Sequence, residues 1–255
     1  MRKILIIGIG AGHPDHVTVQ AVKALNTVDV FFSIDKGPDR DDLARLRREI
    51  CAAHIVGRAY RTAVAPDPGR DRAPPAYEAT VNDWHDRRAD LFEAMIAGEL
   101  GEDETGAFLV WGDPSLYDST LRIVEAVAGR GAIPFDFEVI PGVTSVQALA
   151  AAHRIALNRI GGPVHITTGR NLAAGRTGGD LDNVVVMLDG QNAFEAIAPD
   201  GVEIYWGAYV GTEDQILIAG DLRAVGGEIA RRRAEARARK GWIMDVYLLR
   251  QRGRE

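Results

Sequence analysis

Residues 4–18 read ILIIGIGAGHPDHVT. An apolar run, Ile4 to Ile7, passes straight into Gly8, Gly10 and Gly12, and Asp15 and Thr18 then precede a helical pattern. A buried strand ending in a tight glycine turn is how a parallel α/β domain brings backbone amides close to a ligand. The stretch sets the fold class as α/β and, by itself, suggests a nucleotide-type ligand.

The following residues repeat the alternation. Val17 to Leu25 has helical spacing, and residues 28–34 read as a second buried strand with Asp35 just past its carboxyl end. An amphipathic helix is expected at Asp41–His54, a third strand at 55–63, and a proline- and charge-rich loop at 65–76. A long helix over 77–100 directs Val81, Trp84, Leu91 and Met95 to a core, and a strand at 107–111 ends at Gly112-Asp113-Pro114. A helix (119–130), a strand (135–140) and the turn Pro141-Gly142 lead into a helix at 145–152. This alternation implies a parallel sheet.

The pattern pauses at Asn158–Pro163, which predicts domains of 1–158 and 159–255. In the second half, strands are expected at 164–168, 183–188, 203–209, 215–219 and 242–249, with a basic helix at 227–240. Strands that follow one another without a helix imply a mixed sheet.

Bulk properties narrow the function. A chain of 255 residues can bury one large core or two small ones. The net charge of −6 gives no nucleic-acid footprint. The single cysteine, Cys51, excludes an internal disulfide and a thiolate cluster, and no metal site is expected. No apolar run approaches a membrane span, and Ile4 to Gly12 is not a signal peptide because it becomes a strand and turn. The expected setting is cytoplasmic, without membrane or nucleic-acid partners.

The glycine turn could be a dinucleotide fingerprint. That pattern needs G-x-G-x-x-G opening a helix, with an acidic residue about 20 positions on. Here Gly8, Gly10 and Gly12 alternate, and His13-Pro14 delays the helix; Asp29 or Asp35 could serve as the acid. A nicotinamide-dependent oxidoreductase is therefore the alternative of a different class, and a turn without a ligand is the plain one. A second stretch, Val110-Trp-Gly-Asp-Pro-Ser-Leu-Tyr117, fixes a carboxylate and an aromatic ring at a strand end, where a polar ligand or a simple turn would suit it. In the third, Val139-Ile-Pro-Gly-Val-Thr-Ser145, Thr144 or Ser145 can cap the next helix.

In this order and spacing the three stretches resemble the tetrapyrrole (uroporphyrin/precorrin) methyltransferase family. Val184-Val-Val-Met-Leu188 and Val210-Gly-Thr-Glu-Asp-Gln215 extend the resemblance over the second half. The longer strings 111–122, 152–160 and 163–170 resemble family members that couple C-methylation to the loss of an acetyl group. The resemblance implies two α/β domains, parallel then mixed, with S-adenosyl-L-methionine in an interdomain cleft. It also implies a homodimer and a precorrin-type tetrapyrrole substrate on the aerobic route to cobalamin. The implied reaction methylates C1 of precorrin-5 and releases acetate; a precorrin C-methyltransferase without deacylation is the near alternative.

Carried over by position, the resemblance places cofactor contacts at Gly10, Ala11, Trp111, Gly112, Asp113, Leu116, Thr144 and Ser145. From the second half it adds Met187 or Leu188, and Tyr209 or Val210. Many family members have proline where this chain has Ala11. Asp35 is the first candidate for acid–base work, because related methyltransferases carry an acidic residue after this strand, and Tyr117 is the second. Asp15, His13 and His85 are further candidates. The substrate's carboxylates call for arginines. Arg58, which follows a Val-Gly pair as in related enzymes, and His13 are the expected substrate contacts. Arg61, Arg70, Arg72, Arg87 and Arg88 flank the same loop, interleaved with Asp67, Asp71, Asp83 and Asp86, so a solvated loop is the other reading.

Overall fold

The computed structural model describes residues 1–35, 41–69, 77–177 and 181–253. It divides into two compact units, Met1–Thr144 and Ser145–Glu255.

In the first unit, strands β1 (Arg2–Gly8), β2 (Val30–Asp35), β3 (Arg61–Pro66), β4 (Thr105–Val110) and β5 (Phe135–Ile140) form one sheet in the order β3-β2-β4-β1-β5. Every pairing is parallel, as the alternation predicts. The connecting helices are α1 (Val19–Leu25), α2 (Asp41–His54), α3 (Tyr77–Glu99) and α4 (Thr120–Arg130). Ile4 and Ile6 join a core with Phe92 and Ile123 of α3 and α4, while Leu5 and Ile7 join a second with Leu25 and Ile50 of α1 and α2. Because both faces are covered, β1 reads as a continuous apolar run. All five carboxyl ends share one edge, so the loops bearing Gly10, Asp35, Asp67, Asp113 and Gly142 emerge together.

The third strand lies later than its expected 55–63. Helix α2 runs to His54, Gly57 turns the chain at φ +66°, and Val56 is left exposed. An apolar pair alone does not extend a strand through a left-handed glycine.

The second unit holds α5 (Ser145–His153), β6 (His165–Thr168), α6 (Gly169–Ala173), β7 (Val184–Met187), β8 (Val202–Ala208), β9 (Ile216–Asp221), α7 (Leu222–Lys240) and β10 (Asp245–Gln251). Its sheet has the order β6-β7-β10-β8-β9, with β6 and β7 parallel and the other pairs antiparallel. The sheet is mixed, as expected. The division at 144/145 precedes the expected 158/159. Helix α5 follows the first sheet in sequence, but it packs on β8 and β10, where Leu149 fills the space left by the missing side chain of Gly207. No helix among the described residues is long and apolar enough to cross a membrane.

Candidate active site

The end of β1 and the loops after β1, β4 and β5 meet at four glycines, Gly8, Gly10, Gly112 and Gly142. Gly10 and Gly112 form an antiparallel bridge, with the Gly112 N–H donating to the Gly10 carbonyl at 2.8 Å. A Cβ on Gly142 would stand 2.1 Å from the Gly112 carbonyl oxygen, and one on Gly8 would stand 2.7 Å from the Gly142 nitrogen. No side chain fits there, so backbone touches backbone. Gly10 (φ +79°) and Gly112 (φ +69°) also need left-handed conformations. The Ala11 side chain is buried behind this turn.

Asp113 locks the junction. Its Oδ2 accepts the Gly142 N–H at 2.8 Å, and its Oδ1 accepts the Ser115 N–H at 2.8 Å. Burial works to raise its pKa, but hydrogen bonds from the Ser115 hydroxyl, the Gly142 amide and the Ser115 amide outweigh it and hold the carboxyl below its ordinary value. The carboxylate is thus committed to its own loops. Leu116 and Trp111 are half-buried beside it, and the Trp111 indole Nε1 is buried without a hydrogen-bond partner. Thr144 is buried where the loop from β5 reaches α5, and Ser145 opens that helix.

Further along the edge, Asp35 ends β2 with an exposed side chain, and its carbonyl accepts the Asp67 N–H at 2.8 Å. Tyr117, 44% exposed, follows the Gly-Asp-Pro loop with φ +52°. Burial lifts its phenol above the ordinary value, so it stays protonated at neutral pH and can donate a hydrogen bond. Exposed His13 caps the short turn Pro14–His16 through its Nδ1, which accepts the Asp15 N–H at 3.1 Å. His85 borders a cavity of about 260 Å³ between α3 and α4, which none of the glycine-junction residues lines.

In the second unit, β7 and β8 both run antiparallel to β10 and flank it. Met187 stands opposite Val246 and Ala208 opposite Asp245, so Met187-Leu188 and Tyr209-Val210 leave the sheet at the same edge. Leu188 (φ +52°) and Tyr209 (φ +49°) are both left-handed, as Tyr117 is. Such a backbone costs about 1–3 kcal/mol per residue and tends to mark functional turns. Leu188 is exposed and Met187 half-buried, whereas Tyr209 and Val210 are buried. The Tyr209 hydroxyl donates to the Trp242 carbonyl at 2.6 Å, and burial pushes its pKa up to about 12.

A buried network supports this edge. Arg233 donates through Nε to Asp245 at 2.9 Å and through Nη2 to the Asp189 carbonyl. The Trp206 indole donates to Asp245 at 3.0 Å, and the Tyr247 hydroxyl to Asp189 at 2.7 Å. The turn after Leu188 is thereby tied to the start of β10, beside Tyr209.

The structure does not bring Arg58 to the edge that carries Asp35 and Tyr117. Its Nε donates to the Val28 carbonyl and its Nη2 pairs with Asp29, at the amino end of β2. Six strand residues separate that point from the carboxyl edge, about 20 Å. Arg61 is bound to Glu104, and Arg87 to Asp83 and the Pro68 carbonyl. Arg70 and Arg72 lie outside the described residues.

Three residues at the carboxyl edge were not singled out by the sequence. His16 packs its Cβ against Gly10, and its Nδ1 is buried without a partner; burial, then His13, lowers its pKa against the opposing pull of Asp15. Arg47 donates to the Leu109 carbonyl at 3.3 Å, at the end of β4. Asp118 attracts it and accepts the Thr120 N–H at 2.6 Å. Arg47 does carry a sequence signal: it shares the helical stripe of buried Ile50 and Cys51, an unusual place for a charge.

A ligand that contacts backbone needs loops stripped of side chains, and the junction of Gly8, Gly10, Gly112 and Gly142 meets that need. The unpartnered Trp111 indole adds a donor able to serve a polar ligand.

Comparison with known proteins agrees with the motif order. The family model described as tetrapyrrole (corrin/porphyrin) methylases matches residues 3–226. A precorrin-6A synthase [deacetylating] from Sinorhizobium sp is 53% identical over 251 residues, covering 98% of this chain and 96% of that protein. A precorrin-2 C(20)-methyltransferase from the same source is 26% identical over 192 residues, or 74% of each chain. The crystal structure of a cobalamin-synthesis-related protein from Corynebacterium diphtheriae superposes with a TM-score of 0.82 at 41% identity, covering 98% of this chain and 99% of that one. A uroporphyrin-III C-methyltransferase from Thermus thermophilus (TM-score 0.60, 18% identity, 98% and 92% coverage) shares the fold. With glycine junction, Gly-Asp-Pro loop and Pro-Gly-Val-Thr turn assembled at one edge, the chain belongs to the tetrapyrrole (corrin/porphyrin) methylases.

Proposed function

We propose that this protein is an S-adenosyl-L-methionine-dependent C-methyltransferase of cobalamin biosynthesis. Its reaction methylates C1 of precorrin-5 and releases the acetyl group as acetate, giving precorrin-6A. The observation that carries this reading is the 53% identity to a precorrin-6A synthase [deacetylating], spread over 98% of the chain. S-adenosylmethionine supplies an electrophilic methyl, so the protein's task in that step is chiefly positioning.

In this reading Gly10, Ala11, Gly112, Thr144 and Ser145 offer backbone and hydroxyl contacts to the cofactor. Trp111 and Leu116 give it an apolar wall with one indole donor. Asp113 acts indirectly, by holding the loops of Gly112 and Gly142 in place. Met187 or exposed Leu188, with Tyr209 and Val210, supplies the second unit's contacts. Asp35 activates the water that removes the acetyl group, and protonated Tyr117 donates a hydrogen bond to charge developing on the macrocycle. His13, exposed on the glycine loop, contacts a substrate carboxylate. The enzyme acts in the cytoplasm as a homodimer.

The test is incubation with precorrin-5 and S-adenosylmethionine, followed by mass spectrometry and acetate determination. A gain of one methyl with one equivalent of acetate is expected. Methylation without acetate would assign the protein to the non-deacylating precorrin methyltransferases. Binding of NAD(H) but not S-adenosylhomocysteine would overturn the class.

A further inference from the structure

Two arginines are buried among the described residues, Arg88 and Arg233. Arg233 is matched by Asp245 and the Asp189 carbonyl. Arg88 is 7% exposed, forms no hydrogen bond or ion pair with the described residues, and has its Nε buried without a partner. Its guanidinium carbon lies 4.8 Å from the Trp84 ring centre and 5.4 Å from that of Phe92, so aromatic faces are its contacts. Arginine does not lose its charge in proteins, and a buried charge without a counter-ion is strongly unfavourable.

Two carboxylates attract Arg88 from a distance, Asp67 and Asp118. Each is otherwise engaged. Asp67 accepts the Trp84 indole N–H at 3.3 Å, and Asp118 accepts the Thr120 N–H at 2.6 Å. Asp67 directly follows β3, and Asp118 lies between β4 and α4. Arg88 therefore sits just under the carboxyl edge that carries Asp35 and Tyr117. Neighbouring Arg87 points to another fate, since it is held by Asp83 and the Pro68 carbonyl.

We propose that Arg88 is a substrate-binding residue whose missing counter-ion is a carboxylate of the bound tetrapyrrole. The inference rests on the tetrapyrrole reading above and names the residue that receives one acetate or propionate arm. In this proposal a narrow side arm reaches the guanidinium beside half-buried Trp84 while the macrocycle stays over the edge. The planar fork of arginine meets a carboxylate with two parallel hydrogen bonds, which lysine cannot reproduce.

The experiment compares wild type, Arg88→Met and Arg88→Lys in three measurements: KM for precorrin-5, the Kd of S-adenosylhomocysteine, and Tm without ligand. Arg88→Met should raise KM by at least about tenfold, and Arg88→Lys should recover only part of it. S-adenosylhomocysteine affinity should stay within about twofold of wild type. The Tm of Arg88→Met should be unchanged or higher, because an unmatched buried charge has been removed. Unchanged KM in both variants would overturn the inference while leaving the methyltransferase reading intact. A fall in Tm with equal losses of both affinities would also overturn it, by showing Arg88 to be a packing residue. A wild-type protein that methylates no tetrapyrrole would overturn the reading and the inference together.

Discussion

The Oδ2 atom of Asp113 accepts the backbone N–H of Gly142 at 2.8 Å, so a side chain after β4 holds the loop after β5. Its other oxygen accepts the Ser115 N–H. In Asp113→Asn an amide replaces the carboxylate, and its single acceptor oxygen cannot serve both donors. One donor is then left unmatched, at a cost of about 1–3 kcal/mol. Thermal unfolding should show that loss, and calorimetry should show weaker S-adenosylhomocysteine binding.

The same residue makes an acid-range signature. Its pKa is held below the ordinary 3.8, since the hydrogen bonds from Ser115 and Gly142 outweigh the upward push of burial. The stabilisation it contributes is fully present above the unfolded-state pKa and is lost as pH falls through the lower folded value. Urea unfolding at stepped acid pH should show wild type losing more stability over that window than Asp113→Asn. Parallel curves would show that the Asp113 carboxylate does not contribute.

A methyl group at the junction should be intolerable. Gly142→Ala would place Cβ 2.1 Å from the Gly112 carbonyl, so the loops must separate. Overpacking of this kind costs about 1–3 kcal/mol or more, and cofactor affinity should fall with Tm. Gly129→Ala is the control, since that glycine lies within α4 and a Cβ there meets nothing within 4 Å. It should gain about 0.5–1 kcal/mol through helix propensity alone.

Asp35→Asn separates chemistry from cofactor binding. If Asp35 activates water, kcat should fall by about 10²–10⁴, with S-adenosylhomocysteine affinity unchanged. Retained turnover would remove Asp35 from the mechanism.

The second-unit edge depends on a buried ion pair. Asp245 and Arg233 have side chains 3% and 7% exposed, and Asp245→Asn would leave the guanidinium without its counter-charge. Breaking one side of such a pair costs about 3–5 kcal/mol. The paired replacement of Arg233→Met with Asp245→Leu should cost less than Asp245→Asn alone, as Tm would show.

Much of this was legible in sequence because the decisive features are local. Ile4–Gly12 encodes a doubly covered strand and a side-chain-free turn, and Gly112-Asp113-Pro114 and Pro141-Gly142 encode the loops that meet it. Arg58 shows the opposite case. It lies near the right loop in sequence, yet it precedes β3, and residues before a parallel strand fall on the edge opposite those that follow it. Strand direction was a usable signal there. Arg88 carries a helical signal instead: it stands four residues from both Trp84 and Phe92 on the buried stripe of α3, whereas adjacent Arg87 falls off that stripe and pairs with Asp83. Chain order alone places helix α5 with the first unit, but contact with β8 and β10 puts it in the second.

The central claim is methyl transfer coupled to deacetylation, and quantifying both products of one precorrin-5 incubation tests it most directly. The expected result is one methyl gained and one acetate released for each S-adenosylmethionine consumed. Methyl gain with no acetate, or no consumption of S-adenosylmethionine, would contradict the account.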